Sequence, residues 1–161
     1  MEQFEDIYAK YYRKLYLFLL KLSGDPSLAE ELTQETLYRA FLHMDQYEGR
    51  STLYTWLCGI AKNSWLTEMK KRRFTANPED VLEHGGGTNL EEDVLRRQLL
   101  AAMRREILLL PEPYMSVCVL RIYGELSHAE IAAELGKSES WAKVTYFRGK
   151  TMLTERMEKY R

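Results

Sequence analysis

Residues 75–93 carry six carboxylates (Glu79, Asp80, Glu83, Glu91, Glu92 and Asp93), no lysine or arginine, Pro78, and the run Gly85-Gly86-Gly87. Such a stretch buries too little apolar surface to offset the entropy of ordering its backbone, so it predicts a flexible acidic linker. It divides the 161 residues into segments 1–74 and 94–161, each sized for one small domain. The net charge of −1 resolves into +1, −6 and +4 along these three segments. Taken whole, that charge argues against a nucleic-acid ligand, because nucleic-acid binders are usually basic. Taken by segment, cations gather at 62–73 and 137–150, on either side of the linker.

Both flanking segments read as helical. From Phe4, apolar residues recur at Ile7, Tyr8, Tyr11, Leu15, Phe18, Leu19 and Leu22, the spacing of one buried helical stripe. Ser23-Gly24-Asp25-Pro26 then stops one helix and starts another: Gly24 suits the residue after a C-cap, Asp25 an N-cap and Pro26 the first helical position. The second helix runs through Ala29, Leu32, Thr36, Leu37, Ala40, Phe41 and Met44, and a third spans about 52–73. Beyond the linker, residues 90–110 and 113–123 are predicted helical, followed by two short helices around Gly136. No strand-like alternation occurs. The predicted fold class is all-α.

A hydrophobic fraction of 45% with 29% charged residues excludes wholesale disorder. No apolar run approaches the roughly 18–20 residues of a membrane span. The acidic N-terminal segment lacks the basic region and cleavage site of a secretory signal, which predicts a cytoplasmic protein. Cys58 and Cys118 lie in apolar contexts and read as small core residues. His43, His84 and His128 are scattered over three segments, too far apart in sequence for a metal-ligand pattern. The triple glycine lacks the lysine and Ser/Thr of a phosphate-binding loop. Neither an enzyme, a metal nor a cofactor is predicted.

The most specific local signal is S-H-A-E-I-A-A-E-L-G-K-S-E-S-W-A-K-V-T-Y-F-R-G-K, from Ser127 to Lys150. Ser127 and Glu130 have capping-box spacing, Ile131, Ala132 and Leu135 supply a packed face, and Gly136 suits a left-handed turn. Ser138 caps a second helix on which apolar Ala142, Val144, Phe147 and Met152 are mixed with Lys143, Thr145, Arg148 and Lys150. This is the pattern of a helix-turn-helix with a basic recognition helix. An ordinary helical hairpin with solvated cations has the same spacing, and Trp141 reads as a packing residue.

In order along the chain, A-E-E-L-T-Q-E-T-L-Y-R-A-F, Y-E-G-R-S-T-L-Y-T-W-L-C-G-I-A-K-N and this helix-turn-helix resemble the extracytoplasmic-function group of the bacterial sigma-70 family. Residues 4–74 resemble region 2 and about 94–157 region 4. The resemblance implies a subunit that binds core RNA polymerase, at the β′ clamp helices and the β flap, and brings it to promoter DNA. Glu31, Leu32, Gln34 and Glu35 match the stretch that docks on the clamp. Tyr47, Arg50 and Ser51 match the loop that shapes a pocket for a flipped-out −10 base, and Asn63 an asparagine of that pocket. An aromatic wall and an amide that donates and accepts are what a melted base requires. Lys62, Lys70, Lys71, Arg72 and Arg73 would guide the −10 strand. Ser138, Ser140, Trp141, Lys143, Thr145, Arg148 and Lys150 would meet the −35 element, with phosphate contacts ahead of base readout. Trp56, in T-W-L-C-G-I-A, is expected in the core.

An anti-sigma partner, often membrane-bound, also follows from the resemblance. Three positions depart from the family: Gly59 stands where arginine is common, and the recognition helix has Trp141 and Thr145 in place of a threonine and an arginine. The same residues leave two other readings open: a stand-alone helix-turn-helix regulator that dimerises through 1–74, and a helical adaptor that binds only proteins.

Overall fold

The computed structural model describes residues 4–75 and 90–161, apart from the side chains of 73–75. Every regular element among them is helical. The central acidic stretch with its triple glycine and His84 lies outside the described residues, as does the side chain of Arg73. Three of the six acids are described, and they are not linker: Glu91, Glu92 and Asp93 occupy the first turn of a helix, where carboxylates offset the positive end of the helix dipole.

The first half is three helices, α1 (Phe4–Ser23), α2 (Pro26–Leu42) and α3 (Leu53–Thr75). The α1–α2 corner forms as its residues dictate. Gly24 takes φ +69° and its N–H reaches the Leu20 carbonyl at 2.8 Å, while the Asp25 carboxylate accepts from the N–H groups of Ser27 (3.0 Å) and Leu28 (3.3 Å). Ile7, Leu15, Phe18, Leu19 and Leu22 of α1 are buried, as are Leu28, Leu32 and Leu37 of α2 and Leu57, Ala61 and Trp65 of α3. Thr33 and Thr36 enter the same interior by donating back to the Ala29 and Leu32 carbonyls at 2.6 and 2.7 Å.

The second half comprises α4 (Leu90–Ile107), α5 (Tyr114–Cys118) continued by a π-helical turn (Val119–Tyr123), α6 (His128–Leu135) and α7 (Glu139–Met157). α4 ends at Ile107, short of the expected 110, because Leu109 and Leu110 turn back to the carbonyls of Glu106 and Ile107 ahead of Pro111. Ile107, Val117, Leu120, Ile131, Ala142 and Leu153 are buried between these helices. The two halves also pack on each other: α3 meets α6, and α1 and α3 meet the π-helical turn.

Candidate nucleic-acid interface

The helix-turn-helix forms where its capping residues place it. Ser127 Oγ accepts from the Glu130 N–H at 3.1 Å, and the Glu130 carboxylate accepts from the Ser127 N–H at 2.9 Å. Gly136 takes φ +68°, and Ser138 Oγ accepts from the Trp141 N–H at 3.1 Å. The inward face of α7 differs from expectation. Ala142, Thr145, Gly149 and Leu153 are buried, whereas Val144 and Phe147 are exposed, Phe147 at 70%. The reason is close approach: a Cβ added at Gly149 would lie 2.6 Å from Cys118 Sγ and 3.3 Å from Tyr114 Cβ. α7 therefore leans on α5 with its small residues, and the larger apolar ones face outward.

Of the residues expected at the −35 element, Ser138, Ser140, Lys143, Arg148 and Lys150 are exposed, Trp141 is half-buried, and Thr145 points into the core. Lys137 Nζ lies 5.5 Å from the centre of the Trp141 ring, and Lys143 pairs with Glu139 at 3.7 Å. The outward face of α7 is thus cationic with two apolar side chains among the charges. Its far end is tied to α4: the Glu106 carboxylate accepts from Arg156 Nε at 2.8 Å, from the Tyr160 hydroxyl at 3.1 Å, and from Lys159. Lys159 first, then Arg156 and Tyr160, hold the Glu106 carboxyl below its usual range against the opposing effect of burial.

On the first half, Tyr47 and Trp56 form an aromatic corner with ring centres 5.3 Å apart, and the Tyr47 hydroxyl donates to the Ser51 carbonyl. That bond closes the loop before α3, and Thr52 caps the helix by accepting from the Thr55 N–H at 3.2 Å. Trp56 is half-buried instead of fully in the core, and it lines an open groove of about 390 Å3 with Tyr47, Arg50, Ser51, Glu134 and Leu135. Arg50 pairs with Glu48 at 2.8 Å. The positions Trp56, Gly59, Asn63 and Lys70 recur at helical spacing and share one face of α3. Asn63, Lys70, Lys71 and Arg72 are exposed.

Lys62 is not among the exposed cations. It is 7% exposed and donates to Ser116 Oγ at 3.1 Å, with burial lowering its pKa. Its partner is 54 residues away, which no local pattern could signal. On α2, Glu31 and Gln34 are exposed, Glu35 pairs with Arg39 at 2.7 Å, and Leu32 is core. Sequence reasoning missed Glu134. Its carboxylate lies against Gly59, and burial pushes its pKa up to about 7 although Lys62 opposes the shift. Cys58 and Cys118 are both buried thiols, pushed up to about 12 and about 11 by burial. Among the described residues no cluster of His, Cys, Asp and Glu could hold a metal.

Two family descriptions match in chain order, Sigma-70 region 2 over residues 7–75 and Sigma-70, region 4 over 100–153. The chain is 30% identical to RNA polymerase sigma factor YlaC of Bacillus subtilis, over 99% of this chain and 95% of that protein. The chain belongs to the extracytoplasmic-function group of the sigma-70 family. A second relative, ECF RNA polymerase sigma factor SigM of Bacillus subtilis, is 29% identical over 92% of this chain and 91% of its own length. The fold is shared with sigma factor RpoE of Bartonella quintana, solved in complex with the anti-sigma factor NepR (TM-score 0.60, 24% identity, 96% of each chain). It is shared too with CnrH, solved with the cytosolic domain of CnrY (TM-score 0.61, 18% identity, 94% and 85%). The region 2 match thus spans α1–α3, and the region 4 match runs from within α4 to within α7.

Proposed function

We propose that this alternative sigma factor divides its work by half. The exposed acids and amide of α2 (Glu31, Gln34 and Glu35) dock on the β′ clamp helices. The Tyr47–Trp56 corner and Asn63 capture a melted −10 base. The exposed cations Lys70, Lys71 and Arg72 guide the strand, and α7 enters the −35 major groove while its half also contacts the β flap. The observation that carries this reading is the Tyr47–Trp56 aromatic corner, with Trp56 sharing one helical face with exposed Asn63 and Lys70, within the half that matches region 2. An aromatic wall stacks an unpaired base, and an amide meets its Watson–Crick edge.

On this reading the chain is not an enzyme and needs no cofactor; strand opening draws on binding energy. It acts in the cytoplasm, and an anti-sigma factor, as RpoE has in its solved complex, restrains it. Among the described residues no helix is long and apolar enough to cross a membrane.

Transcription reconstituted from core polymerase and this chain on promoter-containing fragments is the test. Asn63→Ala is expected to impair initiation that depends on melting while leaving core affinity intact. Gln34→Ala with Glu35→Ala is expected to lower core affinity. Transcripts that do not require the chain, or an Asn63→Ala variant that initiates like the parent, would overturn the assignment.

A further inference from the structure

The face of α3 next to the aromatic groove is already occupied by the protein's other half. Thr55, Gly59 and Lys62 follow one another at helical spacing, and α6 lies along them. Thr55 Oγ1 donates to Glu130 Oε2 at 3.0 Å. Lys62 Nζ donates to Ser116 Oγ, and that hydroxyl donates in turn to Glu112. Between these two contacts the Glu134 carboxylate sits so close to Gly59 that a Cβ there would lie 2.1 Å from Oε1 and 2.8 Å from Cδ. At the rim, Lys21 pairs with Glu125 at 3.2 Å and Arg104 Nε donates to the Lys21 carbonyl at 3.0 Å.

We infer that α6 is an intramolecular cover: in the free chain it closes over the Thr55–Gly59–Lys62 face of α3, beside the exposed residues offered to the −10 strand, and it must lift before that strand reaches this part of the helix. The assignment of α3 to the −10 strand rests on the proposed function; the closure itself does not. Three observations converge on it. Glu134 and Leu135 of α6 line the groove together with Tyr47 and Trp56, so the groove has this lining only when the halves are closed. Lys62, a cation in the basic stretch, is withdrawn from solvent onto Ser116, with the Glu112 and Glu134 carboxylates supplying the negative charge that a phosphate otherwise would. Gly59, with no Cβ, leaves the space that the Glu134 side chain fills.

Small-angle scattering of the full-length free chain tests the cover without polymerase or DNA. A closed chain of this length has a radius of gyration of about 15 Å. Gly59→Ala is a weak probe, since the flexible Glu134 carboxylate can swing aside. Gly59→Leu fills the notch with branched hydrocarbon, and Glu134→Arg, on the other half, sets a cation against Lys62. Both variants should keep the helical circular dichroism of the parent and expand by several ångströms. Both should also raise capture of a single-stranded −10 oligonucleotide by the free chain about threefold or more, as expected when the competent fraction grows. An extended parent, or two variants as compact as the parent, overturns the closure. Expansion without any gain in capture overturns its role as a cover. If no form of the chain binds core polymerase or the oligonucleotide, the proposed function fails, while the scattering still reports whether the halves close.

Discussion

Glu106 fixes the end of the recognition helix to α4, and removing its charge should be visible as lost stability. Its side chain is 3% exposed, while its partners Arg156 (39% exposed) and Lys159 (59% exposed) reach it from the solvent side. Glu106→Gln preserves the shape but sets an amide NH2 among Arg156 and Lys159, which can accept nothing, and leaves only the Tyr160 hydroxyl able to accept. A hydrogen bond to a charged group is worth about 1.5–3 kcal/mol. Arg156 and Lys159 can turn to water, so the net cost should be about 1–3 kcal/mol. At about 2–4 °C per kcal/mol for a chain of this size, the melting temperature at neutral pH falls by roughly 3–10 °C. The partners depress the folded-state pKa of Glu106, so its contribution is present above the unfolded value of about 4.3 and is lost as pH falls through the folded value. Thermal melts of parent and Glu106→Gln followed by circular dichroism should therefore differ at pH 7 and converge at strongly acidic pH. A gap of the same size under both conditions, or none at pH 7, would refute the charge-based account.

Gly149→Ala gains about 1 kcal/mol of helix propensity but pushes a methyl against Cys118 Sγ at 2.6 Å, an overpacking cost of about 1–3 kcal/mol. Denaturant titration should show a less stable chain, with Cys118→Ala in the same background restoring part of the loss; a stabilised single variant would contradict the packing. Burial holds both thiols protonated at neutral pH, so iodoacetamide should modify neither Cys58 nor Cys118 before unfolding, as mass spectrometry would read. Closure should also depend on pH. Glu134 faces Lys62 and Cys58 of α3, Glu48 and Arg50 across the groove, and Glu130 on its own helix. Its pKa is about 7 when closed and near the ordinary carboxylate value when open, so the closed form holds the extra proton. Closure is then strongest in mild acid and weakens as pH rises through 7, whereas the lowered pKa of Lys62 acts only at higher pH. Scattering at pH 6 and 8 should show expansion at the higher pH in the parent, and Glu134→Gln should abolish the difference.

What could be read from the sequence was what neighbouring residues decide. Asp25 and Pro26, the Ser127–Glu130 capping box and the left-handed Gly136 all act within a turn of themselves, and each stands where its chemistry puts it. Residues whose surroundings come from afar were not legible. Val144 and Phe147 have the apolar character of a buried stripe, but contact with α5 selects size over hydrophobicity, so Thr145 and Gly149 went inside instead. Lys62 reads as one more solvated cation until Ser116, far along the chain, is brought beside it. Gly59 reads as a missing support until the Glu134 side chain is seen in the space it leaves. The aromatic corner was partly legible: Tyr47 stood out, while Trp56 reads as core because its sequence context cannot show that the residue is left half-buried at a groove.

The small inward residues of α7 have a geometric consequence. A helix held against its neighbour by bulky side chains can roll by part of a turn as rotamers exchange, whereas contact at Gly149 leaves no side chain to rearrange. The angular setting of α7 is therefore locked from behind, by Ala142, Thr145 and Gly149, and Glu106 pins its far end. Which residues the helix presents forward (Val144, Phe147, Arg148) is decided by positions on its buried side. Substitutions on the front can change the chemistry of that face, but a single methyl at the back would turn all of it.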